Sequence, residues 1–145
     1  MNVQSILSRK GTAVATVQPG ATLAQATASL RDHGVGALVV SANGRTIDGI
    51  LSERDVVRAL AAHGGGTLGR EVSSAMSANV VVCQPDDTVD QLMAMMTDRR
   101  IRHLPVLDGA GEMAGIISIG DVVKARIQEI QQENAALTDM ISNSW

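Results

Sequence analysis

The pattern of apolar and polar positions in the first half of the chain predicts a strand followed by a helix. Residues 13–17 form a short apolar run with β-branched side chains, and the run ends before Pro19. Thr22 to His33 begins with a capping threonine, carries apolar residues three and four positions apart, and ends at Gly34. These two stretches are the first predicted strand and the first predicted helix.

Two further strands and a second helix are predicted after this helix. The apolar runs 37–41 and 47–51 flank Asn43-Gly44, a pair suited to a hairpin turn. Residues 55–63 then show helical spacing and end in the glycines 64–66, which we interpret as a hinge. The predicted order of elements is therefore β-α-β-β-α.

The second half of the chain repeats the first half 66 positions further on, without a gap. About a third of the positions from 17 to 59 are identical to their counterparts. The repeated residues are Gln18-Pro19, Thr22, Leu38, Val40, Gly49-Ile50, Ser52 and Asp55-Val56-Val57, which return as Gln84-Pro85, Thr88, Leu104, Val106, Gly115-Ile116, Ser118 and Asp121-Val122-Val123. The second unit is predicted to contain strands 80–83, 104–107 and 113–118, a helix 88–99, a turn near 109–111 and a helix from about Gly120.

Two copies in register predict an α+β fold in which two β-α-β-β-α units pack about a pseudo-twofold axis and form two equivalent clefts. We divide the chain into a first repeat with its N-terminal segment (1–64), a linker (65–71), a second repeat (72–126) and a C-terminal helical extension (127–145).

The C-terminal extension departs from the repeat and shows the apolar spacing of a coiled-coil seam. Steps of four and three join its members, which are Val123, Ile127, Ile130, Asn134, Leu137 and Ile141. Two heptads are marginal alone, so the seam either pairs with a second copy, with Asn134 setting the register, or folds back onto the same molecule. We expect a homodimer in either case, because an isolated apolar stripe needs a partner.

Composition narrows the possible classes of function. The 145 residues are 45% hydrophobic and contain no apolar run long enough for a membrane span and no signal-peptide pattern, so we expect a cytoplasmic protein. A net charge of −3 disfavours DNA or RNA binding. With Phe and Tyr absent and Trp145 at the last position, any bound base must be held by aliphatic side chains.

The repeated Ser-x-x-Asp motif, at Ser52/Asp55 and Ser118/Asp121, has two compatible interpretations. As a capping box, it satisfies the first backbone donors of a helix. As a binding motif, an Asp in the first helical turn accepts hydrogen bonds from both hydroxyls of a ribose, and the free N–H groups of the same turn attract phosphate. The preceding strands would offer apolar walls for the base.

The chain resembles the paired cystathionine-β-synthase-type domains, known as CBS pairs or Bateman modules. The residues that carry the resemblance are the segments Gly49-Ile50-Leu51-Ser52-Glu53-Arg54-Asp55-Val56 and Gly115-Ile116-Ile117-Ser118-Ile119-Gly120-Asp121-Val122, with Ile101-Arg102-His103-Leu104-Pro105-Val106. The chain is especially similar to small stand-alone bacterial pairs with a long C-terminal helix. The resemblance implies binding of an adenosine-containing ligand (AMP, ADP, ATP, NAD(H) or S-adenosylmethionine) in the clefts between the two units.

The resemblance also implies a set of ligand-binding residues drawn from both units. They are Val17, Ile50, Ser52, Glu53, Arg54, Asp55, Arg100, Arg102, His103, Pro105, Ile116, Ser118, Ile119, Gly120 and Asp121. We favour the Asp55 cleft for a phosphate, because basic residues of the second unit are expected to face it while the corresponding residues of the first unit carry no reliable charge. The alternative for His103 is a core-edge histidine, and for the arginines a solvated helix end.

Catalysis is not indicated, because the chain shows no nucleophile–base pair and no metal-ligand spacing, and Cys83 is expected to be a buried hydrophobe. The interpretation is a regulatory adenosyl-ligand sensor that signals energy or redox state to an unidentified protein. The alternative is a constitutive dimerisation module with empty clefts that recruits a partner through its C-terminal helix.

Overall fold

The chain folds into two similar units followed by a long helix, and the α+β class predicted from the sequence is confirmed. The computed structural model describes residues 1–143; Ser144 and Trp145, the end of the predicted extension, lie outside the described residues. The helices are α1 (Val3–Lys10), α2 (Leu23–His33), α3 (Glu53–His63), α4 (Val89–Arg99) and α5 (Ile119–Asn143). The strands are β1 (Thr16–Val17), β2 (Ala37–Val40), β3 (Gly49–Ser52), β4 (His103–Leu107) and β5 (Met113–Ser118).

Each unit is built around an antiparallel strand pair with matching register. In the first unit β2 pairs with β3, aligning Ala37 with Ser52, and β1 runs parallel to β2. In the second unit β4 pairs with β5, aligning His103 with Ser118. Each residue of this pair lies 66 positions after its counterpart in the first unit. The helices α2 and α4 both begin with the predicted capping threonines, which form capping boxes with the glutamine three residues later.

The two outer strands are shorter than predicted, and the prediction of a strand over 80–83 is wrong. Only Thr16–Val17 of the first run pairs, and in the second unit Cys83 makes a single bridge to Val106. One cause is Pro105. The N–H of Val39 donates to the carbonyl of Ala15 in the first unit, whereas Pro105 at the matching position has no N–H to offer the carbonyl of Val81.

The two loops that the glycines were expected to make also differ from the prediction. The β2–β3 connection is longer than a tight hairpin, because β3 begins only at Gly49. Residues Gly64–Gly69 form a 3-10 helix rather than a free hinge. Thr67 holds it in place: its buried hydroxyl lies 3.1 Å from the Ala59 carbonyl oxygen and 2.7 Å from the Gly64 carbonyl oxygen, and its one proton is shared between them.

The segment that precedes each unit in sequence packs against the other unit in space. Helix α1 buries Val3, Ile6 and Leu7 in the core of the second unit, and the linker, which in the structure extends over residues 65–77, buries Val72 in the core of the first. The main-chain contacts match: Val3 N–H donates to the Asp87 carbonyl, and Val72 N–H donates to the Ala21 carbonyl. The N-terminal residues that we grouped with the first repeat therefore complete the second one.

A second pair of matching contacts closes each unit. The N–H of Glu53 donates to the Gly36 carbonyl at 3.0 Å, and the N–H of Ile119 donates to the Arg102 carbonyl at 2.8 Å. These repeated contacts reflect the pseudo-twofold arrangement of the units and place the first turns of α3 and α5 in equivalent positions.

Helix α5 continues without a break from the second unit to Asn143 and is exposed over residues 131–143, so the described residues do not show the predicted alternative in which the extension folds back onto the molecule. Its 25 residues span about 37 Å. Among residues 1–143, no helix is both long and apolar enough to cross a membrane.

Residues 1–10 and 65–77, which each pack against the other unit, are called the exchanged segments. Their close approach to Gly49 and Gly115 predicts the effect of a matched pair of mutants. A Cβ at Gly49 would lie 2.7 Å from the sulfur of Met76 and 2.9 Å from the Ser77 carbonyl oxygen, and a Cβ at Gly115 would lie 2.6 Å from Leu7 Cδ2. We expect both alanine substitutions to lower the free energy of unfolding in urea by about 1–3 kcal/mol. The Gly49→Ala loss should be the larger, because a backbone oxygen yields less readily than a side-chain end.

Gly20→Ala is the control, since a Cβ there meets nothing within 4 Å. Its unfolding energy should stay within about 0.5 kcal/mol of the wild type. Equal stabilities for all three variants would contradict the tight packing of the exchanged segments.

Candidate functional site

Two clefts lie at equivalent places, each between the last helix of a unit and the segment that crosses over to it. The first cleft has a volume of about 280 Å³ and is lined by α3 and the linker: Asp55, Arg58, Ala59, His63, Arg70, Ser74 and Ala75. The second has a volume of about 100 Å³ and is lined by α5 and α1: Met1, Ile6, Arg9, Lys10, Asp121, Lys124, Ala125 and Gln128. The repeat relates Asp55 to Asp121 and Arg58 to Lys124, so the clefts are pseudo-twofold counterparts.

In the first cleft, Ser52 and Asp55 form the capping box that the motif predicts. The N–H and the hydroxyl of Ser52 donate to Asp55 Oδ2 at 2.9 and 3.0 Å, and the N–H of Asp55 donates to Ser52 Oγ at 3.3 Å. All of the carboxylate's bonds within the described chain go to Oδ2. The lone pairs of Oδ1 thus remain available to a ligand in the cleft.

In the second cleft, the same box forms but its carboxylate is also paired with a lysine. The N–H of Ser118 donates to Asp121 Oδ2 at 2.8 Å, and Lys10 Nζ donates to the same oxygen at 2.7 Å. Burial acts to raise the pKa of Asp121, but the hydrogen bonds from Lys10 and Ser118, together with the lysine charge, outweigh burial and lower it. The negative charge of Asp121 is therefore already paired with the ammonium group of Lys10.

The strand edge beside each cleft explains why only one carboxylate is paired. In the first unit the Ile50 carbonyl accepts from the N–H of Ser77 at 2.9 Å, because the chain follows the edge of β3. In the second unit the Ile116 carbonyl accepts from Lys10 Nζ at 2.8 Å. The lysine therefore takes the place of a backbone donor and reaches Asp121 from there.

His103 lies at the junction of the two units, where it approaches Glu53. A Cβ on Gly36 would be 3.3 Å from Glu53 Oε1 and 3.4 Å from His103 Cε1, so both side chains close over this glycine. Burial lowers the pKa of His103, and the nearby Glu53 carboxylate opposes that shift only in part. The histidine of the second unit thus lies near Glu53 in the first turn of α3, two residues before Asp55.

The other predicted site residues are spread over the strands and helix ends around the clefts. Val17, Ile50 and Ile116 are half-buried strand residues, and Pro105 is buried in β4. Glu53, Arg54, Ile119 and Gly120 are exposed in first helical turns, and Arg100 and Arg102 are exposed at the end of α4. Of the predicted set, Asp55 lines the first cleft and Asp121 lines the second.

Arg100 has a left-handed backbone with φ of 53°, as does Gly34 at the matching position with φ of 62°. A non-glycine residue in this conformation costs of order 1 kcal/mol. An arginine retained at such a position is consistent with its predicted role toward phosphate, which stays a prediction.

Sequence reasoning missed the basic residues that line the clefts. In the first cleft these are Arg58, His63 and Arg70. A signal for one of them was present, because Arg58 and Lys124 both follow the motif aspartate by three positions and so lie on its helix face. No such signal exists for Lys10, since its position depends on α1 crossing to the second unit.

Cys83 is buried, and burial together with the Asp87 carboxylate raises the pKa of its thiol to about 12. The thiol therefore stays protonated at neutral pH and behaves as a small apolar side chain. Among residues 1–143, no three histidine, cysteine, aspartate or glutamate side chains are grouped so as to hold a metal ion.

Comparison with known proteins identifies the repeated unit. The sequence model of the CBS domain matches residues 3–62 and again residues 70–128. The chain is 31% identical over 142 residues to the CBS domain-containing protein YhcV of Bacillus subtilis, with 95% of this chain and 96% of that protein aligned. It is 36% identical over 128 residues to the mitochondrial CBS domain-containing protein CBSX3 of Arabidopsis thaliana, with 86% of this chain aligned and only 62% of that protein spanned.

Solved structures agree with this assignment. A CBS-domain protein of Agrobacterium tumefaciens is 50% identical and superposes with a TM-score of 0.81, covering 86% of this chain and 98% of that one.

The Lys10–Asp121 ion pair predicts a pH-dependent contribution to stability. Because the pair lowers the pKa of Asp121 in the folded protein, its stabilisation is present above the ordinary carboxyl pKa and is lost as the pH falls through the folded value. We expect Lys10→Met to lower the urea unfolding free energy by about 0.5–1 kcal/mol at pH 7, since both partners are partly exposed. This difference from the wild type should narrow as the pH is lowered toward 3.

Lys124→Met removes a lysine from the same cleft without breaking the pair, and its difference from the wild type should not narrow in acid. A Lys10→Met difference that is independent of pH would contradict the role of the ion pair.

Proposed function

This chain belongs to the CBS-domain family, and we propose that it is a non-catalytic regulatory module that binds an adenosine-containing ligand in the first cleft. The observation that carries the proposal is the state of Asp55. Its carboxylate lines a cleft, is oriented by a capping box through Oδ2, and has no cationic partner in the described part of the chain. Such a carboxylate is a ready acceptor for the two hydroxyls of a ribose.

The charge around Asp55 favours a ligand that also carries phosphate. Arg58, His63 and Arg70 line the same cleft, and the first turn of α3 adds the positive end of its dipole. The volume of about 280 Å³ is near the lower end of the range for small-molecule sites. We therefore propose AMP, ADP, ATP or NAD(H) as the ligand class.

Structures of the same fold support this class of ligand. A CBS-domain protein of Pyrobaculum aerophilum was solved with AMP, and the CBS-domain pair of protein MJ0100 with 5′-methylthioadenosine and S-adenosylmethionine. They are 24% and 22% identical to this chain, so the likeness is one of fold. The fold is thus compatible with adenosyl ligands, and the residues of the first cleft are what extend the proposal to this chain.

The exchanged segments offer a route from occupancy to a signal. The first cleft is formed by α3 of the first unit and the linker that leads to the second, so a ligand that prefers one arrangement of the two shifts the population toward it. We propose that this shift signals energy or redox state in the cytoplasm to an unidentified partner protein.

A double-mutant cycle between Asp55 and the ribose tests the proposal. AMP and 2′-deoxy-AMP are titrated by calorimetry into the wild type and Asp55→Asn, after bound nucleotide has been removed. We expect the wild type to prefer AMP by about tenfold or more, because one charge-assisted hydrogen bond is missing with the deoxy ligand. In Asp55→Asn, the first cleft should bind AMP at least about tenfold more weakly and should lose its preference for AMP over 2′-deoxy-AMP.

Asp86→Asn is the control, since Asp86 is an exposed loop aspartate outside both cleft linings, and this variant should prefer AMP over 2′-deoxy-AMP as strongly as the wild type does. Binding of AMP that is unaffected by Asp55→Asn would exclude this cleft. A lack of binding for AMP, ATP and NADH would exclude the ligand sensor.

The apolar stripe of α5 favours a second function, homodimerisation, which is independent of the clefts. Five of its six seam residues are large and apolar, and they are between 42% and 61% exposed: Val123, Ile127, Ile130, Leu137 and Ile141. An exposed stripe at heptad spacing is typical of a helix that pairs with another helix, and Asn134 at one seam position favours an in-register parallel pair. A constitutive dimerisation module would use this stripe with its clefts empty.

Leu137→Asp tests the seam, because it places a charge at an exposed apolar position of α5. We expect the dissociation constant of the dimer, measured by light scattering over a protein concentration series, to rise at least about tenfold. Gln132→Asp makes a comparable change on the opposite helix face and should leave the dimer unchanged. Dissociation that is equal in both variants would contradict the seam.

A further inference from the structure

The two clefts differ in one feature that the repeat does not share, the position of Lys10. Its ammonium group lies 2.7 Å from Asp121 Oδ2 and 2.8 Å from the Ile116 carbonyl oxygen, inside the second cleft. The first cleft has no corresponding lysine, because the N–H of Ser77 donates to the Ile50 carbonyl there.

Lys10 changes both the charge and the size of the second cleft. A carboxylate matched by an ammonium group is a weaker acceptor for neutral hydroxyls, since the lysine competes for its lone pairs. The remaining volume of about 100 Å³ is well below that of ordinary small-molecule sites. An adenosyl group cannot enter unless the lysine side chain moves.

The second cleft nevertheless attracts anions. Arg9, Lys10 and Lys124 line it together with a single carboxylate, Asp121, so the lining has an excess of positive charge. A phosphate group gives the Lys10 ammonium a new anionic partner in exchange for Asp121. A nucleoside without phosphate gives it none.

We infer that Lys10 is a specificity-determining residue, which closes the second cleft to uncharged adenosyl ligands and yields to ligands that carry a phosphate. The inference rests on the proposed function, since it assumes that Asp121 reads a ribose once it is released. The two clefts then differ in what they sense: the first takes the adenosyl diol directly, and the second requires the phosphate.

Lys10 can be changed without dismantling the fold. It is the last residue of α1, and the helix is held by Val3, Ile6 and Leu7, which are buried in the second core. Thermal unfolding of Lys10→Met and of the more polar Lys10→Gln checks that both variants are folded before binding is measured.

The test uses adenosine and AMP as calorimetric probes in an Asp55→Asn background, which weakens binding at the first cleft. In this background AMP should bind at least about tenfold more tightly than adenosine. Adding Lys10→Met should raise the affinity for adenosine at least about tenfold and reduce the preference for AMP. The further substitution Asp121→Asn should abolish the gain, since it replaces the charged carboxylate acceptor by a neutral amide.

Arg99→Met is the control, because it makes the same change in net charge at an exposed position outside the cleft lining. It should not raise the affinity for adenosine. An equal gain in the control would assign the effect to net charge and overturn the inference.

The two proposals fail in different ways. The proposed function fails when the wild type binds neither probe or when Asp55→Asn leaves binding unchanged. The inference about Lys10 fails when Lys10→Met and Lys10→Gln add no adenosine binding that depends on Asp121, whatever the wild type does.

Discussion

The burial of each leading segment in the core of the other unit is the interaction on which the rest of the structure depends. Ile6 and Leu7 fill the second core and Val72 the first, so neither unit has a complete core without chain from beyond its own repeat. Separation of the units would expose several fully buried aliphatic side chains, each worth about 1.5–3 kcal/mol. The clefts lie where these crossing segments meet the last helices, so the same burial that joins the units also forms the candidate sites.

The difference between the clefts follows from how far each crossing segment continues along a strand edge. After Met76 the chain runs beside β3 and satisfies Ile50 with backbone groups, whereas after Lys10 it turns away at Gly11, whose φ is 95°. The unsatisfied edge of β5 then takes a side-chain donor. Because the backbone turns away here, a charged ammonium group stands where the first unit has a neutral N–H group. The ammonium group pairs with Asp121, whereas Asp55 has no such partner in the described part of the chain.

Much of the fold could be predicted from the sequence because its signals are local. The caps at Thr22 and Thr88, the bounds of β5 and the capping box at Ser52 and Asp55 each depend on residues within a few positions of one another. The cleft positions of Asp55 and Asp121 could be predicted for the same reason, because the motif that contains each aspartate is local. What could not be predicted depends on distant pairing: the crossing of α1, and with it the contact between Lys10 and Asp121, joins residues more than a hundred positions apart.

The exchange of leading segments also makes the two halves of the chain depend on each other. Because each 66-residue unit lends its leading segment to its neighbour, a single unit alone would lack part of its core while carrying a helix or turn with no core to enter. Two such single units would complete each other as a swapped pair related by a true twofold axis. The internal symmetry of this chain is the symmetry of such a segment-swapped pair joined end to end, in which the two halves are free to differ, as they do at Lys10 and the matching Met76.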